Sequence, residues 1–531
     1  MQTASSGADV IVVGFGPVGA AVAGLLGRRG RKVLVLERDP DVFPLPRAAH
    51  VDHTGLRTWQ ELGVIDQLLP RMIPNRGLDF VNAAGELLAR IPNSGLSASG
   101  LPFSSYFYQP ELDRAVRAAV AALPTVQVRT GTSVTEVSQT AAGVTAETIT
   151  GSQRRAFTAP WLVACDGAAS PVRTGLGIEF EDFRFEEPWA VVDLILPDAA
   201  QPADRALCIC DPARPTYSIP MPMGRHRFEF RLMPGDDPHG ILEPSRLDAL
   251  IGRWFDPRDI RVERAAVYTF HGLVARTWRA GRIFLAGDAA HQMPPFLGQG
   301  MCSGLRDANN LAWKLDLVYR GQAGPDLLDT YETERRPHVS AIVTSAVNIG
   351  RVICTVDPAL ALERDRAMLG DGRPPSQRMP FALPTLGPGP LILANGGSPF
   401  PQPVSGTLRL DDVIGPGFAL FARHADLLDG DAARWWRDTP HAFVAALPDL
   451  ADHFAAPLGA WLSERDCNFV LVRPDRYVLW AGSDLSAATR QCIRTLGDHS
   501  GAEKRKGRLA GGDRPCNIDP GPGTRAFQRT T

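Results

Sequence analysis

Four consecutive β-branched residues, Val10 to Val13, open the apolar pattern of the chain. So short an unbroken run fits a strand buried on both faces of a parallel sheet. Ala20 to Arg29 reads as a helix, and Lys32 to Leu36 as a second buried strand. A further strand pattern, Arg282 to Ala286, comes much later. The helix predicted after it runs from about Met301 to Arg320, with Leu305, Ala308, Leu311, Ala312 and Leu315 on one face. Between these elements the period changes to two. Residues 125–150 alternate with β-branched positions and predict a small sheet. Residues 181–275 hold several alternating runs, among them Arg227-Phe228-Glu229-Phe230-Arg231-Leu232, and predict an antiparallel sheet. Charges alternating along a strand are commonly solvent-facing.

These patterns predict an α/β unit with an α+β addition. A discontinuous first domain spans 1–180 and 276–364, and a sheet domain spans 181–275. Tyr331-Glu332-Thr333-Glu334-Arg335-Arg336-Pro337 is expected on a polar helix that ends near the proline. Residues 365–405 are rich in Pro and Gly and read as a linker. A third unit, 406–496, closes with a strand–turn–strand at Asn468 to Trp480. Beyond it, 497–531 lacks apolar periodicity, turns basic at Glu503 to Lys506, and is expected to be a disordered tail.

Composition narrows the function classes. The chain has 531 residues, 44% of them apolar and 21% charged, with a net charge of −2. Nothing in that balance favours nucleic acid or an anionic membrane as partner. No secretory signal or membrane-length apolar run is read, so the expected location is cytoplasmic. The eight cysteines form no Cys-x-x-Cys pair, and Cys208-Ile209-Cys210 lacks a second ligand pair. Scattered thiols, with no metal site, are the expectation.

The candidate chemistry begins at Gly14-x-Gly16-x-x-Gly19, directly after the first strand. Gly14 permits the tight turn, Gly16 lets backbone approach a pyrophosphate, and Gly19 allows close helix–strand packing. The helix N-terminus favours phosphate charge. Glu37 ends the second strand, where an acid accepts hydrogen bonds from ribose hydroxyls. Strand, glycines, helix, strand and acid together predict a Rossmann-type dinucleotide site. Only one such fingerprint is present. The second cluster is Gly287-Asp288, an acid at the C-terminal edge of a strand, where ligands of α/β sheets bind. Pro294-Pro295 and Gly298-x-Gly300 follow, then the helix from Met301.

With Cys165-Asp166-Gly167, these segments resemble the three signatures of the single-component flavin aromatic hydroxylases, the para-hydroxybenzoate hydroxylase fold. Trp161 to Arg173, Cys210 to Pro215, Arg227 to Phe230, Met233 to Gly235 and Gly298 to Ala308 look like 3-(3-hydroxyphenyl)propanoate hydroxylases. The resemblance covers roughly residues 8–490. It implies a Rossmann-type FAD-binding domain, an antiparallel-sheet substrate domain roofing the flavin, and a C-terminal thioredoxin-like domain. Without redox cysteines that last domain is expected to serve packing or a homodimer.

The resemblance assigns FAD to Val13, Gly14, Gly16, Pro17, Val18, Gly19, Glu37 and Arg38 at the adenosine end. At the flavin end it assigns Arg47, Ala48, Gln109, Gly287, Asp288, Pro295, Gly298, Gly300 and Met301. Asp288 would bind a ribityl hydroxyl, and the helix N-terminus would stabilise reduced flavin. Asp166-Gly167 would serve both FAD and NADH or NADPH. His291 is expected to be structural, with no carboxylate partner evident nearby, and Cys302 to pack the helix.

The implied reaction has NAD(P)H reduce FAD, O2 add to form a C4a-hydroperoxide, and the terminal oxygen pass to a phenolic ring. The cofactor supplies that chemistry and the protein supplies orientation and electrostatics. An acceptor near the phenol would assist. Asp52 stands where relatives carry an acid, His53 replaces a second acid, and Tyr217 is a further candidate to hydrogen-bond substrate. Arg227 and Arg231 are candidates to meet a substrate carboxylate. The leading substrate is a 3-hydroxyphenylpropanoid acid, and the alternative is a polyketide or other natural-product phenol. A flavin halogenase would need a Trp-x-Trp-x-Ile-Pro segment, which the chain lacks. A non-enzymatic flavin-binding protein is the remaining class.

Overall fold

The computed structural model describes residues 3–5, 7–197 and 204–497. The tail expected from residue 497 therefore lies, but for Gly497, outside the described residues. The strand Val10–Val13 sits at the centre of a six-stranded sheet between Trp161–Ala164 and Val33–Leu36. Ile283–Leu285 and Val126–Arg129 extend it in parallel, and Arg279–Ala280 closes one edge antiparallel. Val10 to Val13 are all buried, as a strand covered on both faces requires. Helix Pro17–Arg28 packs on helix Gly300–Tyr319, so the two motif helices lie side by side.

The second sheet has eight strands and forms a roof. Its order is His291–Gln292, Arg261–Ala275, Phe180–Ile195, Arg225–Arg231, Thr216–Met221, Ala206–Ile209, Leu78–Val81 and Leu87–Ile91. The last two come from the N-terminal part of the chain, outside the expected 181–275. Leu78–Val81 also pairs in parallel with Ala206–Ile209, so the roof is not wholly antiparallel. A four-residue strand has too little pattern of its own to announce a partner more than a hundred residues away. The other face of the roof is apolar. Phe228 and Phe230 pack with Ala190, Val192 and Leu194 against helix Pro244–Ile251 and Trp254. The charged positions between them therefore face inward, not toward solvent as alternation suggested: Arg227 and Glu229 are 3% exposed.

Helix Asp329–Ile353 runs through Pro337 instead of ending there. A mid-helix proline costs about 3 kcal/mol. Burial of Tyr331, Val339, Ile342 and Val343 offsets this, at about 1.5–3 kcal/mol for each large side chain. The expected linker begins inside another helix, Pro358–Gly370, and its residues 379–383 enter the wall of the central cavity. The C-terminal unit is a four-stranded sheet in the order Phe443–Ala446, Ala419–Ala422, Phe469–Val472, Val478–Gly482. Its first pair is parallel and the other two are antiparallel. No single described helix is long and apolar enough to cross a membrane.

Buried charges join this unit to the rest. Arg57 donates to both oxygens of Asp411 and to the Phe400 carbonyl. Glu334 Oε2 accepts from Lys314 Nζ at 2.9 Å, Arg473 Nη2 at 2.8 Å and Asn310 Nδ2 at 2.7 Å. Burial raises the Glu334 carboxyl, but Arg473 and Lys314 outweigh it and bring the carboxyl down to about 2. A depressed carboxyl contributes stability that is present above its unfolded value of 4.5 and lost as pH falls through about 2. Glu334→Gln is expected to lower stability at neutral pH by roughly 3–5 kcal/mol. It should also flatten the acid limb between those two pH values, as read by thermal unfolding across pH.

Candidate functional site

The glycine turn is shaped by contacts that leave no room for a side chain. Gly14 has φ +95, and a Cβ there would lie 2.4 Å from the Cys165 carbonyl oxygen. A Cβ on Gly19 would lie 2.0 Å from the Gly14 oxygen. Gly16 caps helix Pro17–Arg28 with open space where its Cβ would be, so a ligand can approach its backbone. Glu37 ends its strand as expected, but its carboxylate also holds the turn. Oε2 accepts from the Phe15 N–H at 2.6 Å and Oε1 from the Asp39 N–H at 2.8 Å. Val13 is buried in its strand beneath the turn. Arg38 is exposed and lies 3.8 Å from Asp39.

Across the sheet, Gly287 and Asp288 follow strand Ile283–Leu285. Asp307 is the hub beneath them. Its Oδ2 accepts from the Gly287 N–H at 3.1 Å and pairs with His291 Nε2 at 2.7 Å, and its Oδ1 accepts from Arg335 Nε at 2.9 Å. His291 thus has the carboxylate partner that the sequence hid, supplied by the next helix. Its burial and its contacts keep it structural. Asp288 is exposed, but to a cavity whose walls thin out its hydration, which raises its carboxyl above the usual range.

That cavity measures about 590 Å³. One wall comes from Gly16, Pro17, Val18, Gly167 and Asp288, and another from Pro295, Gly298, Gly300 and Met301. Two helix N-termini border it, a favourable setting for anionic groups. Asp166 sits just behind Gly167, with Oδ2 accepting from the Val172 N–H at 3.1 Å and Oδ1 buried without a partner. Cradle, orphaned acceptor and cavity-facing acid together fit a dinucleotide with a polyol arm.

The segment Pro46–Ala48 is clamped from both sides. Gln109 Oε1 accepts from the Arg47 N–H at 2.8 Å and the Ala48 N–H at 2.7 Å. Arg227 donates to the Arg47 and Pro46 carbonyls, both at 2.9 Å. Gln109 lines the cavity and is a backbone clip. The exposed Arg47 guanidinium lies over the Phe43 ring, 5.1 Å from its centre. Arg227 also forms a buried pair with Asp193 at 2.7 Å, and Arg231 pairs with Glu187 at 2.7 Å. Neither arginine is left unpaired for a substrate carboxylate.

Asp52 and His53 both line the cavity. Asp52 is the N-cap of helix His53–Glu61: Oδ1 accepts from the Thr54 and Gly55 N–H groups and Oδ2 from Arg306. Burial opposes the ionised form, but Arg306, His53 and these hydrogen bonds hold Asp52 far below the usual carboxylate range. Arg306 also donates to Gln299 Oε1 at 2.8 Å, just before the helix that starts at Gly300. His53 Nδ1 meets Ser99 Oγ at 3.1 Å, and burial lowers its pKa. Its side chain also borders a second, polar cavity of about 380 Å³ beside the C-terminal unit. Cys302 is fully buried and donates to the Gly298 carbonyl, in keeping with packing.

Tyr217 faces the cavity from the roof, and its hydroxyl has no hydrogen-bond partner among the described residues. The strand register sets it opposite Glu229. Glu229 and Arg264 also line the cavity, and the sequence reading gave neither a role. The available signal was the inward face of the Arg225–Arg231 strand, which its alternation defines once Phe228 and Phe230 are known to pack outward.

A family model described as an FAD binding domain matches residues 7–346, and a second, described as the HcaD C-terminal domain, matches residues 397–496. A probable NADH-specific resorcinol 4-hydroxylase from Rhodococcus jostii is 37% identical over 494 residues, 90% of this chain and 92% of that protein. A 3-(3-hydroxy-phenyl)propionate/3-hydroxycinnamic acid hydroxylase from Escherichia coli is 34% identical over 506 residues, 88% of this chain and 91% of that protein. The crystal structure of aklavinone-11 hydroxylase with FAD and aklavinone superimposes with a TM-score of 0.75 at 24% identity, covering 93% of this chain and 100% of that one. It shares the fold.

Gly19→Val tests the cradle. The added side chain would collide with the Gly14 carbonyl. The purified variant is expected to lose its flavin absorbance while keeping its far-ultraviolet circular dichroism.

Proposed function

The chain belongs to the FAD-binding monooxygenase family, and we propose that it uses NAD(P)H and O2 to hydroxylate a small phenol. One observation carries this reading: the glycine turn, Asp288, the Gly300 helix terminus and the polar roof all border one cavity. Bound FAD would supply electron transfer and oxygen activation. Gly14, Gly16 and Gly19 would admit its pyrophosphate, with Glu37 and Arg38 toward the adenosine and Asp288 toward the ribityl chain. Ala48, Pro295, Gly298 and Met301 would surround the ring system. Arg47 would meet the flavin phosphates or the incoming nicotinamide cofactor, and Asp166-Gly167 would serve both.

The rest is the work of this chain's side chains. Tyr217 would hydrogen-bond the ring hydroxyl. Asp52 is already saturated and would act by position, fixing helix His53–Glu61 and, through Arg306, Gln299. His53, at the junction of two cavities, would pass protons between them. Arg227 and Arg231 are paired and Arg264, the other roof arginine in the lining, faces Asp193 at 3.4 Å, so a neutral ring such as a dihydroxybenzene suits the roof better than a phenylpropanoid acid. The Rhodococcus relative's name agrees with that choice. The C-terminal unit fits a thioredoxin-like domain, on the strength of its strand order and directions. Its role would be packing or dimer support. Dependence on NAD(P)H suits the cytoplasm.

A screen of resorcinol, 3-(3-hydroxyphenyl)propanoate and a bulky polycyclic phenol tests the proposal. Resorcinol is expected to accelerate NADH oxidation with one hydroxylated product per NADH, seen by mass spectrometry. Acceleration by the polycycle alone would assign the enzyme to natural-product phenols. Tyr217→Phe is expected to lower kcat/KM by about tenfold for the loss of one hydrogen bond of about 1.4 kcal/mol.

A further inference from the structure

Glu229 is the buried titratable group that the structure leaves idle. It lies mid-strand in Arg225–Arg231 and lines the cavity at 3% exposure. Its Oε2 is buried with no hydrogen-bond partner, and among the described residues nothing donates to Oε1. A buried carboxyl without hydrogen bonds is costly, at about 1–3 kcal/mol or more for a charged group, and a fold retains one where a ligand satisfies it. Its surroundings are specific. Arg227 stands two residues away on the same strand, and Asp193 on the neighbouring strand pairs with that arginine. Arg264, from the strand beyond, reaches Asp193 at 3.4 Å while its Nε and Nη1 lack hydrogen-bond acceptors. Tyr217 lies opposite, backed by Tyr106 and Cys208. One face of one sheet thus brings an unused acceptor and an unused hydroxyl to the cavity that the flavin wall also borders, with the Arg264 guanidinium beside them, ion-paired to Asp193 and lying over the Tyr268 ring.

We propose that Glu229 is the residue that takes the proton of the substrate's ring hydroxyl. The inference rests on the phenol-hydroxylase reading above. The step is a proton transfer alone: the phenol O–H bond breaks, its electron pair stays on the ring oxygen, and the proton joins a Glu229 oxygen. The phenolate formed would be met by the guanidinium donors of Arg264 and the Tyr217 hydroxyl. Net charge in the cluster does not change, so no new uncompensated charge is buried. Burial raises the Glu229 carboxyl to about 7, Arg227 and Arg264 oppose the rise, and Asp193 adds to it. That places it where a general base works near neutral pH. Asp52, held ionised by Arg306, lies too low to accept a proton there.

The test compares the flavin-loaded parent protein with Glu229→Gln on a ladder of phenols of falling acidity constant. In the parent, kcat/KM for ordinary phenols is expected to rise with pH through about 7 and then level. Glu229→Gln should lose that limb and lose about 10²-fold or more in kcat/KM for phenols that are neutral at the assay pH. For polyfluorinated phenols, acidic enough to be fully ionised at the assay pH, the loss should shrink to a few-fold. A merely structural glutamate would lower all phenols alike and leave the limb in place, and that result overturns the proposal. If the variant does not retain flavin, the parent decides: a limb for neutral phenols that is absent for ionised ones supports the role, and the same profile for both overturns it. If no phenol accelerates NADH oxidation by the parent, the phenol-hydroxylase reading fails. If phenols do so while Glu229→Gln behaves as the parent, only the assignment of Glu229 fails.

Discussion

The buried Arg227–Asp193 pair is the interaction on which the cavity depends. Arg227 is a roof residue, yet two of its nitrogens reach carbonyls of Pro46 and Arg47 in the other domain. Gln109 takes the amides of the same segment. A three-residue stretch with no regular structure is thereby held by its donors and its acceptors at once. The cost of burying the guanidinium is met by Asp193 and by these carbonyls, and breaking such a pair is far more damaging than never having had it. Roof and floor are therefore joined by hydrogen bonds of fixed geometry as well as by apolar contact, and the height of the cavity follows from them.

The two glycine turns beside the cavity are restrained in another way. Asp307 and Glu37 each spend a carboxylate on backbone amides next to a glycine. A glycine turn is conformationally free before folding and must be restrained after it. An adjacent anion that accepts the turn's own N–H groups supplies that restraint without adding a side chain where a ligand must pass. Arg306 extends the pattern, linking the Asp52 cap to Gln299 at the entrance of the helix that faces the cavity.

What the sequence made legible was whatever is contiguous. Gly14 to Gly19 and Gly287-Asp288 each carry their strand, turn and helix in one stretch, so local spacing was enough. Pairings across long separations were hidden. His291 seemed without a carboxylate because Asp307 comes from the next helix. Asp52 looked like a free acid because Arg306 lies 254 residues on. Strands Leu78–Val81 and Leu87–Ile91 joined the roof unseen, because four or five residues carry too little pattern to name a distant neighbour. The inward charges of Arg225–Arg231 were misplaced for a related reason. Alternation tells which residues share a face and leaves open which face meets the core.

The stretch 379–383 gives the cavity a wall that belongs to neither sheet. Met379 ends the short helix Pro375–Arg378, and Pro380, Phe381, Ala382 and Leu383 carry neither strand ladder nor helix. Met379 and Phe381 pack against the main core, while Pro380, Ala382 and Leu383 have no place in that cluster. Part of the shape that a bound molecule meets is therefore set by a short piece of connecting chain. A segment without regular structure thus shares the lining of the cavity with the roof strands, and its side chains can change without breaking any strand pairing.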